Sequence, residues 1–151
     1  MKKVAIALVL SALTTSALAK DNKLATDFVN KIKSSVDSNE PVSISVELSC
    51  LAPSASGRLI VTKPSYTIGE SVGTYIFESG SPKNADLSWL TFEHPNDDWD
   101  SKEVSGVNFG LTMPGGQFFI TIMKSGKVKA GVSSNAKSGI HEVECAASEP
   151  K

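Results

Sequence analysis

The stretch from Val42 to Cys50 constrains the fold of this chain most, because it alternates apolar and polar residues without a break. A period of two is typical of a β-strand with one buried face. Cys50 lies on the apolar face, and the only other cysteine, Cys145, shares a strand face with His141 and Val143. We predict a Cys50–Cys145 disulfide between the first and last strands, worth at most about 4–5 kcal/mol by chain entropy.

The N-terminus has the three parts of a bacterial secretory signal peptide. Two lysines follow Met1, residues 4–13 are almost wholly apolar, and a small-x-small site ends at Ala19. We predict that residues 1–19 are a signal peptide cleaved after Ala19. The mature chain is then periplasmic or secreted, where two cysteines are expected to form a disulfide.

The charge balance argues against a nucleic-acid partner. The whole chain has 15 basic and 16 acidic side chains, and without Lys2 and Lys3 the predicted mature chain has 13 against 16, a net charge of −3. Nucleic-acid binding needs a concentrated basic face. No second long apolar run follows the signal, so we expect no membrane contact by the mature form. Residues 20–151 are the right length for a single domain.

Residues 23–38 carry the one clear helical pattern of the mature chain, because apolar residues recur there at spacings of three and four. We predict a helix that is capped by Asp21 or Asn22 and ends before Pro41. The helix either packs on the sheet or docks against a second copy of the protein. Its apolar stripe consists of Leu24, Phe28, Val29, Ile32 and Val36.

From residue 42 onward the hydrophobic period is two, and glycine- or proline-containing turns separate short segments. This spacing is typical of an antiparallel sandwich or flattened barrel. We predict a mainly β fold, an antiparallel β-sandwich of about eight strands with one N-terminal α-helix and one disulfide. The predicted strands are residues 42–50, 58–62, 71–78, 87–93, 104–113, 117–124, 127–132 and 140–147, with residues 66–68 a further extended segment.

The longest polar interruption is residues 94–102, and in the overlapping stretch 93–100 carboxylates surround a tryptophan. A tryptophan in a polar loop either folds back on the core or is presented as an anchor for a partner. The loop is therefore solvated, a partner-binding surface or, given its many oxygen atoms, a calcium site, although its spacing is not that of an EF-hand. The candidate contacts here are Asp97, Asp98, Trp99 and Asp100.

Catalytic motifs are missing from the sequence. It has no Gly-x-Ser-x-Gly elbow, no His-Glu-x-x-His and no phosphate-binding glycine loop. Two histidines, His94 and His141, are too few for a histidine-based metal centre. We therefore predict no enzymatic activity, no catalytic residue, no metal and no cofactor. A small secreted enzyme would instead need a pair of titratable groups in a cleft.

A carbohydrate- or small-ligand-binding module is the alternative function. Such a module needs aromatic side chains exposed along one strand face, or a concave pocket lined by an aromatic and a few polar groups. The available aromatics are Tyr66, Tyr75, Trp89 and Trp99, and most of them occupy positions where a core is expected.

Two short loops, Ser54-Ala55-Ser56-Gly57 and Ser79-Gly80-Ser81, resemble the serine–glycine loops that bacterial periplasmic lysozyme inhibitors insert into a lysozyme's active cleft. The plan of signal peptide, small β domain and one disulfide is also similar. Those inhibitors place a tyrosine or lysine soon after the serine–glycine pair, where this chain has Arg58 and, in the second loop, Lys83. The resemblance implies that Arg58 or Lys83 reaches into an acidic cleft.

The same plan suits immunity proteins that protect the periplasm against cell-wall-degrading toxins. We therefore expect an exported, non-enzymatic protein that blocks a peptidoglycan-degrading enzyme or toxin. Its candidate contacts are Ser79, Ser81 and Lys83, together with the acidic loop. We also expect that two copies can form a homodimer, through the helix or through an edge strand.

Overall fold

One helix precedes eight antiparallel β-strands in the described part of the chain. The structure is a computed structural model that describes residues 5–134 and 140–151, with the backbone alone at residues 5–21 and 134. Each strand pairs with the next, and the last pairs with the first. The elements are α1 (Ala5–Ser38), β1 (Ile44–Cys50), β2 (Gly57–Lys63), β3 (Val72–Phe77), β4 (Asn84–Glu93), β5 (Gly106–Met113), β6 (Gly116–Met123), β7 (Val128–Ser134) and β8 (His141–Ser148).

The eight strands close into a barrel, so the predicted sandwich is wrong in that respect. The mainly β class, the antiparallel strands and the disulfide are confirmed. Alternation in a strand specifies which face is buried, but two facing sheets and one closed sheet both satisfy it. The pairing of β1 with β8 decides between them, and it leaves no edge strand among the eight for a dimer contact.

The disulfide joins the first and last strands as predicted. Cys50 and Cys145 are direct cross-strand partners in β1 and β8, and their Cα atoms lie 3.9 Å apart. The bond closes a loop with a sequence separation of 95 residues. It therefore staples the seam at which the barrel closes.

Strand β4 departs from the predicted alternation. Strict alternation would place Leu87, Trp89 and Thr91 on one face, but the pairing with β5 shifts register between Leu87 and Trp89. This β-bulge moves the following residues to the other face. Leu87 and Leu90 are consequently both buried, and Trp89 lies outside the barrel. The expected extended segment at residues 66–68 is not a strand but part of the β2–β3 connection.

Aromatic side chains fill the centre of the barrel. The rings of Tyr75 and Phe77 both contact Phe118, at centroid distances of 4.9 Å in each case. The hydroxyl of Tyr75 donates a hydrogen bond of 2.7 Å to the carbonyl oxygen of Ala55. Burial, with a smaller contribution from Glu78, raises the pKa of Tyr75 above its usual value. The inside is therefore a packed core.

Helix α1 closes one end of the barrel with the predicted apolar stripe. Phe28, Val29 and Ile32 are buried, and the Phe28 ring meets the edge of Phe109 at a centroid distance of 6.2 Å. The hydroxyl of Thr26 donates to the carbonyl of Lys124, between β6 and β7, at 3.1 Å. These contacts place the helix across the mouth of the barrel, as a cover for its apolar contents.

The predicted end of the helix at Ser38 is confirmed, but its predicted start is wrong. The backbone is helical from Ala5, so neither Asp21 nor Asn22 caps a helix. No glycine or proline interrupts residues 5–38, which is why the helix continues through the predicted cleavage site. Cleavage after Ala19 stays a prediction. Within the described residues, no helix has the length and apolar character needed to cross a membrane.

Candidate functional site

The connections between strands divide the barrel into two ends. The helix end has the connections at residues 64–71, 94–105 and 124–127, and α1 lies across it. The far end has the connections at residues 51–56, 78–83 and 114–115. Because neighbouring strands run antiparallel, successive connections fall at alternate ends. Any surface that combines two connections must therefore draw them from the same end.

The predicted contact residues are divided between these ends. The serine–glycine turn with Lys83 connects β3 to β4 at the far end, whereas the acidic loop connects β4 to β5 at the helix end. The structure therefore does not bring the two groups together. At the far end lie Ser79, Ser81 and Lys83, and at the helix end lie Asp97, Asp98, Trp99 and Asp100.

The two serine–glycine loops do lie side by side at the far end. The backbone N–H of Glu78 donates to the carbonyl of Ser56 at 2.9 Å. Ser56 itself is buried, and its hydroxyl accepts a hydrogen bond of 2.8 Å from the backbone N–H of Cys50. Ser56 thus holds the loop against the disulfide, while Ser79, Ser81 and Lys83 are exposed.

Arg58 is already engaged within the chain. Its guanidinium pairs with Glu47 across β1 and β2, and it also donates to the carbonyl of Lys151 at 3.5 Å. The hydrogen bond from Arg58 holds the pKa of Glu47 below its usual value, with help from the Lys151 N–H. These groups line a shallow groove of about 430 Å³ on the outside of the barrel, beside Ile76. Arg58 in this groove is therefore already paired with Glu47.

The acidic loop is folded by its own hydrogen bonds. The N–H of Asp98 donates to the carbonyl of Pro95 at 3.1 Å, and the N–H of Ser101 donates to the carbonyl of Asp98 at 3.1 Å. Asp98 also accepts, through its carboxylate, from the N–H of Asp100 at 3.2 Å. His94 closes the base, because its Nδ1 donates to the carbonyl of Glu103 at 3.0 Å. The loop therefore has a defined shape.

Trp99 projects from this loop into solvent. It is 71% exposed, and its one aromatic neighbour among the described residues is His94, at a ring-centroid distance of 5.6 Å. This exposure contradicts folding back on the core, and the role of Trp99 as an anchor for a partner stays a prediction. Tyr66 and Ile68, which are 58% and 79% exposed, belong to the neighbouring connection at the same end.

The described residues of the acidic loop show no cluster of side-chain ligands for calcium. Among the residues that the structure describes, no three His, Cys, Asp or Glu side chains lie close enough to hold a metal ion. The carboxylates of Asp97, Asp98 and Asp100 are exposed. They give the surface around Trp99 a negative charge.

The sequence pattern placed Trp89 on the wrong face of its strand. Alternation counted from Leu87 put it on the face of a buried residue, whereas the bulge turns it outward. The signal that could have located it is Gly110, a glycine inside a strand pattern, which indicates a close approach by another group. An ideal Cβ at Gly110 would lie 2.0 Å from Cε2 of Trp89.

No family model, curated protein or solved structure matches this chain. The resemblance to lysozyme inhibitors therefore stays a prediction.

Proposed function

We propose that this protein is exported and non-enzymatic, and that it binds and blocks a peptidoglycan-degrading enzyme or toxin through its acidic loop. The observation that carries the proposal is the 71% exposure of Trp99 on a loop held by its own hydrogen bonds. Tryptophan is among the residues that most often supply the binding energy of protein interfaces. An exposed tryptophan on a shaped loop is a suitable anchor for a partner's cleft.

The stiffness of the scaffold supports an inhibitory role. The loop is tied at its base by His94 and Glu103, and it is carried by a closed barrel whose seam is stapled by the Cys50–Cys145 disulfide. A partner that binds a preformed loop spends less free energy on ordering it. The disulfide is also consistent with a protein that works outside the cytoplasm.

Charge indicates the kind of partner. Three exposed carboxylates, those of Asp97, Asp98 and Asp100, adjoin Trp99. A basic rim around the partner's catalytic cleft would be attracted to them, and association would be fast at low salt and slower as salt increases. The proposed target is accordingly a cell-wall hydrolase with a basic surface around its active site.

The far end offers the competing contact. Ser79, Ser81 and Lys83 are exposed there, on the side of the barrel away from Trp99. A hydrolase seated on one end leaves the other end free. One substitution at each end therefore distinguishes the two contacts.

The test is inhibition of purified peptidoglycan hydrolases in a cell-wall turbidity assay. Mature protein is added to a panel of lysozymes and other lytic enzymes with basic surfaces, and the inhibition constant is measured for wild type, Trp99→Ala and Lys83→Ala. We expect Trp99→Ala to weaken inhibition by at least about 30-fold, equivalent to about 2 kcal/mol. Lys83→Ala, at the far end, should leave inhibition unchanged.

Two results would contradict the proposal. If folded, oxidised protein inhibits none of the panel at micromolar concentration, the hydrolase assignment fails. If Lys83→Ala abolishes inhibition and Trp99→Ala does not, inhibition is real but the contact lies at the far end, as the serine–glycine resemblance implies.

A further inference from the structure

Trp89 occupies a notch on the outside of the barrel, away from both ends. Its cross-strand partner in β5 is Gly110. An ideal Cβ at Gly110 would lie 2.0 Å from Cε2, 2.2 Å from Nε1 and 2.5 Å from Cζ2 of Trp89. The indole therefore lies directly against the Gly110 backbone, a position that any larger residue at 110 would block.

A second aromatic residue continues this surface. Phe119 in β6 pairs with Gly110 from the other side, and its ring centroid lies 6.0 Å from that of Trp89. Gly131 in β7 pairs in turn with Phe119. Aromatic residues and glycines thus alternate across four neighbouring strands, and both aromatic side chains are partly exposed. We call this row, formed by Trp89, Gly110, Phe119 and Gly131, the Trp89 face.

Hydrogen-bonding groups border one side of the Trp89 face, and they include the exposed carboxylate of Asp86, the cross-strand partner of Thr112. The hydroxyls of Ser88 and Thr112 lie 2.6 Å apart. Gln117 in β6 pairs directly with Thr112 and is exposed. Thr112 and Gln117 stand one outward position along their strands from the aromatic row, and Ser88 is the bulge residue directly before Trp89.

The other side of the face has a second polar group. The hydroxyl of Thr121 donates to Oδ1 of Asn108 at 2.7 Å, and the amide of Asn108 donates to the carboxylate of Glu93. Both Asn108 and Thr121 lie one outward position from Gly110 and Phe119. The aromatic row is therefore flanked on both sides by donors and acceptors. Lys129, the cross-strand partner of Thr121, also lies on this border, and its ammonium is paired with Glu142 at 3.1 Å.

The indole N–H of Trp89 adds a donor to the row itself. No hydrogen bond within the described part of the chain engages it. No side-chain nitrogen or oxygen there is both fully buried and without a partner, so this N–H keeps some solvent exposure beside the Gly110 backbone. It is available to a ligand that offers an acceptor at the edge of the ring.

We infer that the Trp89 face binds a neutral saccharide chain. A pyranose ring presents C–H groups on its faces and hydroxyls around its edge. The C–H groups would pack on Trp89 and Phe119, and the hydroxyls would bond to the polar groups on both sides. A purely apolar partner would bury those polar groups without partners, which is unfavourable. An anionic ligand is disfavoured, because Asp86, Glu93 and Glu142 place carboxylates at the borders of the row and Lys129 is paired with Glu142.

This inference does not depend on the proposed function. The Trp89 face lies on the wall of the barrel, across β4, β5, β6 and β7, whereas Trp99 lies in a connection at the helix end. A saccharide and a protein partner could therefore be bound by the same molecule.

The first test uses tryptophan emission, because the chain has only two tryptophans. In Trp99→Phe, Trp89 is the sole emitter. We expect the N-acetylglucosamine hexamer or cellohexaose, added to millimolar concentration, to shift this emission saturably and to protect it from acrylamide quenching. In Trp89→Phe, the emission of Trp99 should not respond. If neither oligosaccharide changes the emission of Trp89, the inference is overturned.

The second test measures affinity by calorimetry with the oligosaccharide that binds. Trp89→Ala should weaken binding about tenfold or more, as for the loss of other aromatic side chains that stack on flat rings. Thr112→Ala combined with Gln117→Ala should weaken it several-fold without changing the core. The matched control is Ile76→Ala, which removes an exposed apolar side chain from the outer face of β3 and should change nothing.

Undiminished affinity in folded Trp89→Ala would overturn the inference. If Trp89→Ala does not fold, the Thr112/Gln117 double variant decides, and unchanged affinity there has the same meaning. A dimer in solution whose dissociation exposes Trp89 would show that a second copy covers this face, and would also contradict saccharide binding.

Discussion

The two tryptophans of this chain stand in contrasting surroundings. Trp89 lies on the barrel wall, against the backbone of Gly110 and beside Phe119. Trp99 projects from a loop, with carboxylates around it and His94 as its neighbour. A ring packed against the barrel wall is suited to a ligand that lies along that wall, whereas a ring that projects is suited to a partner's cavity. The same residue type therefore supports two different kinds of recognition.

The largest loss of stability is expected from removing the disulfide, because it closes the barrel that carries both tryptophans. Cys50→Ser combined with Cys145→Ser opens the seam between β1 and β8. Because the disulfide closes a loop with a separation of 95 residues, the free energy of unfolding should fall by up to about 4–5 kcal/mol. Chemical denaturation, compared with oxidised wild type, measures this loss. A change below about 1 kcal/mol would contradict the role of the staple.

The next largest effect on stability is expected from a change at Gly110, which disturbs Trp89 and not Trp99. Gly110→Ala places a methyl group where the Trp89 indole lies, so the ring must move. We expect a loss of stability of about 1–3 kcal/mol and altered emission of Trp89 in the Trp99→Phe background. Adding Trp89→Ala should recover part of the loss, because the clash is then removed. Strictly additive losses in this double-mutant cycle would show that Trp89 and Gly110 are not in contact.

A much smaller effect on stability is expected at the other tryptophan. Because Trp99 is 71% exposed and has little protein around it, Trp99→Ala should change the free energy of unfolding by less than about 0.5 kcal/mol. The denaturation midpoint measures it, with Trp89→Ala as the matched comparison. A loss as large as that of Trp89→Ala would mean that Trp99 packs on the fold.

The smallest effect concerns an ion pair remote from both tryptophans. Arg58 lowers the pKa of Glu47, so this pair stabilises the protein above the ordinary glutamate pKa. The stabilisation is lost as pH falls through the lowered pKa. Between about pH 6 and pH 3, Glu47→Gln should therefore lose less stability than wild type. Thermal midpoints across that range measure the difference. Identical slopes for the two proteins would contradict it.

Local patterns in the sequence predicted much of the fold. Alternation located the strands, the three-and-four spacing located the buried stripe of α1, and the shared faces of Cys50 and Cys145 predicted the disulfide. Each of these depends on neighbouring residues. Barrel closure could not be predicted in this way, since it depends on which strand β1 meets across the seam.

The candidate sites were less predictable, for the same reason. The exposed acidic loop followed from its composition, but its separation from Ser79 and Lys83 follows from the order of strands around the barrel. The position of Trp89 depends on a one-residue bulge, which reverses every later side chain in β4. A shift of that size leaves little trace in hydrophobic periodicity.

The most direct test of two separate binding surfaces uses the two single-tryptophan variants with both ligands. We predict that an inhibited hydrolase shifts the emission of Trp99 in Trp89→Phe and leaves Trp89 in Trp99→Phe unaffected. A β-linked oligosaccharide should do the reverse. If one ligand moves both tryptophans, or neither ligand moves either, the two surfaces do not have the separate roles assigned to them.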